Sequence, residues 1–185
     1  MKKIGIVTDS HSSISQEEAE KLGIFVLPMP FYIDGECFYE SVTLSRELFF
    51  EKLAAGADIT TSQPSPTAVM EIWDKALEQF EKILYMPISS GLSGSYETAM
   101  MLAKDEAYEG RVLVVDDGQV AAPLHQMVLD TLDMIEKGYE AEQIRDLLER
   151  AGDRMMIYIA LQTLECLKKG GRVTPAAAAL GSVFN

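Results

Sequence analysis

The 185-residue chain is 48% apolar and carries a formal net charge of -13, which suits one α/β domain with a remainder and enough apolar side chain for a sizeable core. The acidic excess argues against nucleic acid and anionic membrane surfaces as partners, so any anionic ligand must be attracted locally. No apolar run is long enough to span a bilayer, and the first ten residues turn polar too soon for a secretory signal, so the expected location is cytoplasmic.

In chain order, Ile4, Ile6 and Val7 mark a first strand that ends in Thr8-Asp9-Ser10-His11-Ser12-Ser13. Ser15 to Glu18 has the capping-box pattern of a short helix that Gly23 ends, and residues 24–27 read as a second strand. Residues 31–33 and 36–39 around Asp34-Gly35 predict a hairpin with a type I′ turn, projecting from the sheet edge because Pro28 and Pro30 forbid a central position. Thr43 is the expected cap of a helix carrying Leu48, Phe49 and Leu53 and ending near Gly56. The following loop, residues 60–66, holds four hydroxyls and two prolines, with Ser65 as N-cap and Pro66 at the first helical position. Val69, Ile72, Trp73, Ala76, Leu77 and Phe80 then fall on one buried helical face, which makes Trp73 a core residue.

Residues 83–88 have the length and composition of a buried strand. The strand stops at Ser89-Ser90-Gly91-Leu92-Ser93-Gly94-Ser95, where helical spacing begins through Tyr96, Ala99, Met100 and Ala103. A Gly/Ser loop between strand and helix places unpaired backbone N–H groups beyond the carboxyl end of a sheet, a cradle for an anion. A nucleotide loop needs Lys after its last Gly, but Gly94 is followed by Ser95-Tyr96, and a hydrolase elbow needs a Gly where Ser95 stands. Neutral hydroxyl donors remain, suited to a carboxylate; a loop that merely starts a helix is the plainer alternative.

Residues 111–115 form another buried strand ended by Asp116-Asp117-Gly118, and helices run to Gly138 and then to Gly152. The alternation predicts a mostly parallel sheet with helices on both faces. Beyond Asp153, residues 155–161 read as a strand, 163–169 as a short helix before Gly170-Gly171, and Thr174-Pro175 as the cap of an Ala-rich helix over 176–180. With nothing to pair that strand before Asn185, the expected organisation is an N-terminal α/β domain, 1–152, and the start of an incomplete second domain, 153–185. Cys37 and Cys166 stand far apart and His11 and His125 are the only imidazoles, so neither a metal nor a cofactor is expected and the cysteines read as reduced.

Four stretches carry a resemblance: Thr8-Asp9-Ser10; Thr61-Ser62-Gln63-Pro64-Ser65-Pro66; the Ser89–Ser95 loop; and Lys169-Gly170-Gly171-Arg172-Val173-Thr174. In order and spacing they resemble the DegV family along the whole chain. The resemblance implies a two-domain, non-catalytic carrier that holds one long-chain fatty acid between its domains. It also implies a partner, a fatty acid kinase subunit that phosphorylates the bound carboxylate to an acyl phosphate. By position, the carboxylate contacts fall on Thr61 and Ser93, each expected at a helix N-terminus. Ser62, Asp9, Ser10, Gly91, Gly94 and Arg172 complete the expected ligand-binding set. The family continues past Asn185, and a His from that further part also contacts the carboxylate.

Other residues keep more than one reading. Asp9 either organises the Ser-rich loops by accepting N–H bonds or simply caps a turn. His11, where many relatives have a small hydroxyl residue, reads as a surface turn residue with no carboxylate or nucleophile tied to it by spacing. Lys168, Lys169 and Arg172 read as a solvated helix end, or as groups that approach a head group or partner. Met29, Phe31, Met86, Met100 and Met101 are candidates for the wall of a tail pocket. A buried tail gains about 0.8 kcal/mol per CH₂, so the tail should set affinity and the hydroxyls orientation. The competing function is a hydrolase or transferase acting on a small acyl or phosphorylated substrate, with Ser93 as nucleophile and Asp9 and His11 assisting.

Overall fold

In a computed structural model, the structure describes residues 2–40, 42–160 and 164–174. From the N-terminus, β1 (Lys2–Asp9) passes through a 3₁₀ turn (Ser10–Ser12) and α1 (Gln16–Leu22) to β2 (Phe25–Leu27). β3 (Pro30–Ile33), β4 (Glu36–Tyr39), α2 (Arg46–Ala54) and β5 (Ile59–Thr61) follow. α3 (Pro66–Leu77), β6 (Phe80–Met86), α4 (Ser95–Leu102), β7 (Val112–Val114), α5 (Ala121–Glu136), α6 (Ala141–Gly152) and α7 (Glu165–Lys169) complete the order.

Two sheets result. The larger is wholly parallel in the order β2-β1-β6-β7, and the smaller is antiparallel in the order β4-β3-β5. The strands of the parallel sheet are apolar on both faces, as burial between helix layers requires. Ile4, Ile6, Leu84, Met86 and Leu113 face α1, α5 and α6, where Leu124, Val128, Ile144 and Leu148 meet them. Their alternates Val7, Ile83, Tyr85, Val112 and Val114 face α3 and α4, against Val69, Trp73, Ala76 and Ala99. Period-two alternation along each strand thus feeds two cores at once. Trp73 is fully buried, edge-on to Tyr85 at 5.4 Å and Tyr108 at 5.2 Å between ring centroids.

Local chemistry sets the boundaries. Ser15 and Ser65 accept the backbone N–H groups of Glu18 and Ala68, and Pro66 opens α3. Gly23 ends α1 in the left-handed conformation, and Asp34 (φ 51°) and Gly35 (φ 86°) make the hairpin turn. Glu18 does not close the capping box; its carboxylate meets His125 instead.

Several expectations are corrected. α2 is capped by Ser45, because Thr43 spends its hydroxyl on the backbone N–H of Tyr39. Phe80 starts β6 rather than ending α3, and it packs on the Cα of Gly5, where the missing side chain leaves room for its ring. β3 is the middle strand of its sheet despite Pro30. Proline is tolerated there because it is the first residue of the strand, where little of the ladder needs its N–H, and its carbonyl still accepts from Ser62. Thr60 and Thr61, expected to begin a loop, join Ile59 in β5 on the other side of β3. Residues 155–160 lie in no strand, since no described strand lies alongside to supply a ladder, and Tyr158 remains 88% exposed. Leu161, Thr163 and the expected helix over 176–180 lie outside the described residues.

The packing of α6 against the β7 loop yields a sharp test. A Cβ on Gly152 would sit 1.9 Å from the Asp117 carbonyl oxygen, a backbone atom that cannot swing aside. Gly152→Ala should therefore lower unfolding stability by about 3 kcal/mol, the upper part of the usual overpacking cost, read as a shift of the urea midpoint. A change under about 0.5 kcal/mol would show that the 117–119 loop yields freely.

Candidate functional site

The order β2-β1-β6-β7 reverses direction between β1 and β6, since β1 connects outward to β2 and β6 outward to β7. Ligands of open α/β sheets bind in the crevice at such a switch point. Asp9, the last residue of β1, is fully buried there. One of its oxygens accepts the Ile88 N–H at 2.8 Å, and the other accepts the His11 N–H at 2.9 Å. The carboxylate both caps the 3₁₀ turn and ties the ends of β1 and β6 together. Thr8 reinforces the tie with a 2.7 Å bond to the Met86 carbonyl.

The Ser/Gly loop is held by its own hydroxyls. Ser89 accepts the Gly91 N–H and donates its backbone N–H to the Gln119 carbonyl. Asp116 accepts the N–H groups of Ser90 and Gly118. Ser93 accepts the Ser95 N–H, and the two hydroxyl oxygens are 2.8 Å apart. α4 begins behind Gly94 with no side-chain cap. The absent side chain matters, because a Cβ on Gly94 would lie 3.0 Å from the Gln63 side-chain oxygen. Gln63 joins the loop after β5 to the Ser/Gly loop; it was not singled out in the sequence, where only its place beside Ser62 marked it.

A cavity of about 590 Å³ opens between the 3₁₀ turn, the small sheet and α2, within the range of small-molecule sites. Ser10, Thr61 and Ser62 line it together with His11, and Met29, Phe31, Leu44, Phe49 and Ile59 supply apolar wall. Thr61 pairs with Phe31 across β3 and β5, so hydroxyl and ring lie side by side on one face. Thr61 is thus a strand residue and not at a helix start, contrary to expectation. Of the five candidate tail contacts, Met29 and Phe31 reach this wall. Met86 is core on the α5 side of β6, Met100 lies on α4 away from the cavity, and Met101 is exposed.

Ser93, Gly91, Gly94 and Arg172 form a second group beside the cavity rather than in its wall. Arg172 Nε donates to the Leu92 carbonyl at 3.2 Å, and Lys169 pairs with Asp58, so the 164–174 segment touches the Ser/Gly loop and the residue before β5. Lys168, Lys169 and Arg172 themselves remain exposed at the end of α7, in keeping with the reading of a solvated helix end. The reading of His11 is corrected: its Nδ1 lies 3.2 Å from Asp9. The signal was an Asx turn of separation two directly after a strand. Among the described residues no hydroxyl is hydrogen-bonded to that imidazole, and no cluster of His, Cys, Asp or Glu could hold a metal. Among the same residues no helix is long and apolar enough to cross a membrane.

Behind Asp9, Asp117 and Gln119 are buried at the end of β7. Gln119 donates its amide to the Asp117 and Gly152 carbonyls, while Asp117 Oδ2 and Gln119 Oε1 have no partner among the described residues. Burial, with Asp116 and Asp9 adding negative potential, pushes the Asp117 carboxyl up to about 7.

A model of the DegV family matches residues 3–185. A DegV domain-containing protein of Caldanaerobacter subterraneus is 30% identical over 185 residues, which is 100% of this chain and 66% of that protein. The solved structure described as fatty acid binding of a DegV family protein from Thermus thermophilus has 34% identity and a TM-score of 0.87. It is matched over 99% of this chain and 65% of its own. A stearic-acid-binding protein from Eubacterium ventriosum has 26% identity and a TM-score of 0.79 over 97% and 63%. The chain therefore spans somewhat under two thirds of the length of these relatives.

The buried Asp117 makes stability depend on pH. Its carboxyl binds a proton more tightly folded than unfolded, where it titrates near about 3.9, so folding is favoured by the proton. The stabilisation is full below about pH 4 and is lost as pH rises through about 7. Urea midpoints measured from pH 5 to 8 should fall for the wild type across this window, and Asp117→Asn should flatten that fall. An unchanged slope in the variant would place the proton elsewhere.

Proposed function

The chain belongs to the DegV family, and from that premise we propose that it binds one long-chain fatty acid, tail in the cavity and carboxylate on the hydroxyl loops. The observation that carries this is the composition of the 590 Å³ cavity: aromatic and aliphatic side chains over most of its wall, with Ser10, Thr61 and Ser62 along one edge. An apolar wall with a few convergent polar groups suits an amphiphile. The Thermus thermophilus and Eubacterium ventriosum structures, described as binding fatty acid and stearic acid, support the same reading.

In this proposal Thr61, Ser10 and Ser62 orient the carboxylate from the cavity side, and Ser93, with the Gly91 and Gly94 backbone, from the crevice side. Asp9 acts through the loops it holds, and Arg172 adds positive charge at the mouth. The exposed Gly91 and Leu92 beside half-buried Ser93 leave the head group within reach of a second protein. A kinase that turns the carboxylate into an acyl phosphate is the partner we assign. Residues 153–185 belong, on this reading, to a second unit rather than to the 1–152 domain, which fits the exposure of Met156, Tyr158 and Ile159.

The Asp9–His11 pair favours a second reading, an acyl or phosphoryl hydrolase or transferase. Against it, the Ser93 hydroxyl is engaged with Ser95, and a nucleophile needs a base within hydrogen-bond reach. Acyl-phosphate hydrolysis that Ser93→Ala abolishes would establish the enzyme.

Each charge-assisted hydrogen bond contributes about 1.5–3 kcal/mol, or about 10- to 100-fold in affinity. Thr61→Ala and Ser93→Ala should each weaken palmitate binding by about that factor. Native mass spectrometry of the chain expressed in bacteria should show one C14 to C20 acid, absent from the double variant. A chain that is empty and takes up no added fatty acid would refute the carrier.

A further inference from the structure

We propose that His11, anchored by Asp9, is the cationic contact for the ligand carboxylate. The inference rests on the fatty-acid reading above and deepens it by naming the charged group at the head of the cavity. Ser10, Thr61 and Ser62 are neutral, and Arg172, on the Leu92 carbonyl, stands outside the cavity wall, so a net charge of -13 opposes an anion inside the cavity unless a positive group of the wall meets it.

Two residues of the cavity wall can supply that charge, His11 and Arg46. Arg46 sits on α2 with its guanidinium 5.8 Å from the centre of the Phe50 ring. α2 buries none of its residues, so nothing rigid fixes that cation in the cavity. His11 is placed differently. Asp9 Oδ1 holds both its backbone N–H at 2.9 Å and its ring Nδ1 at 3.2 Å, and Asp9 itself is buried with its other oxygen on Ile88.

A carboxylate only accepts, so Nδ1 carries the proton in this contact. Nε2 is then left without a partner among the described residues, on a side chain that is 34% exposed and lines the cavity. When the imidazole is protonated, Nε2–H donates to the incoming carboxylate while Nδ1–H stays on Asp9. The buried carboxylate behind the ring holds its orientation. His11 is thereby a head-group selector, distinguishing an acid from an uncharged amphiphile with the same tail.

The test compares dodecanoate with dodecanol, each displacing cis-parinaric acid from the whole chain. The variants are His11→Ala, His11→Gln and Arg46→Ala, with thermal midpoints as a control on folding. We expect His11→Ala to weaken dodecanoate about tenfold and leave dodecanol within twofold. His11→Gln should recover part of the loss, since its amide can still donate. Equal losses for acid and alcohol would make His11 a packing residue and overturn the proposal. An acid-selective loss confined to Arg46→Ala would overturn it in favour of that cation. If the wild type bound neither compound, the fatty-acid reading itself would fail, an outcome distinct from either.

Discussion

The arrangement depends on one buried carboxylate. Asp9 has no solvent to stabilise its charge, and a lone buried carboxylate costs several kcal/mol or more, so its donors determine where the surrounding backbone lies. Those donors come from Ile88, just past the end of β6, and from the 3₁₀ turn through His11. The result is a fixed separation between the two strands at which the sheet changes direction. Of the proposed ligand contacts, Ser10, His11 and Ser93 hang from loops attached to those strand ends, whereas Thr61 comes from β5 of the small sheet and Ser62 directly follows it.

A second layer of polar contacts carries the constraint outward. Ser89 is held by Gln119, Gln119 by its bonds to the Asp117 and Gly152 carbonyls, and Ser90 by Asp116. The constraint therefore runs from β1 to β6, β7 and α6, each fixing the next. Negative groups accumulate along this line. Two aspartates, at 9 and 117, are buried close enough for each to feel the other, and the proton that burial favours on Asp117 relieves part of that repulsion. The proposed anion site is thus built on a negatively charged base, which is why the polarity of its uppermost residues matters so much.

Much of the frame was legible because it rests on local patterns. Period-two apolar runs, Ser65-Pro66 ahead of an amphipathic stretch, and Asp34-Gly35 between two short strands each carry their physical cause within a few residues. What escaped the sequence was non-local. That Ile59 to Thr61 would pair with β3 follows from a partner about thirty residues away, and so does the movement of Thr61 from helix start to strand. The run over 155–160 shows the converse: its composition is that of a strand, but a strand is a relationship between two segments, and no described neighbour supplies the other half. At the site, both hydroxyl loops were recognisable from composition, whereas the Asp9–His11 contact was overlooked although it spans only two residues. Spacing rules for helices and metal sites do not include an Asx turn that returns a ring to its own cap.

The distribution of polarity around the cavity also constrains how a carrier could release what it holds. A C16 tail gains on the order of 10 kcal/mol on full burial, and a rigid enclosure would make exit slow. The cover over this cavity is α2, which buries none of its residues and has Phe49 as its ring contact to Phe31 in β3. The opposite wall, by contrast, is made by buried side chains, Ile14, Val26 and Met29. Weak cover opposite a strong wall separates two requirements: the head-group loops keep their geometry through Asp9, while the apolar side can open without disturbing them. Orientation and access then reside in different elements, and a change in one need not alter the other.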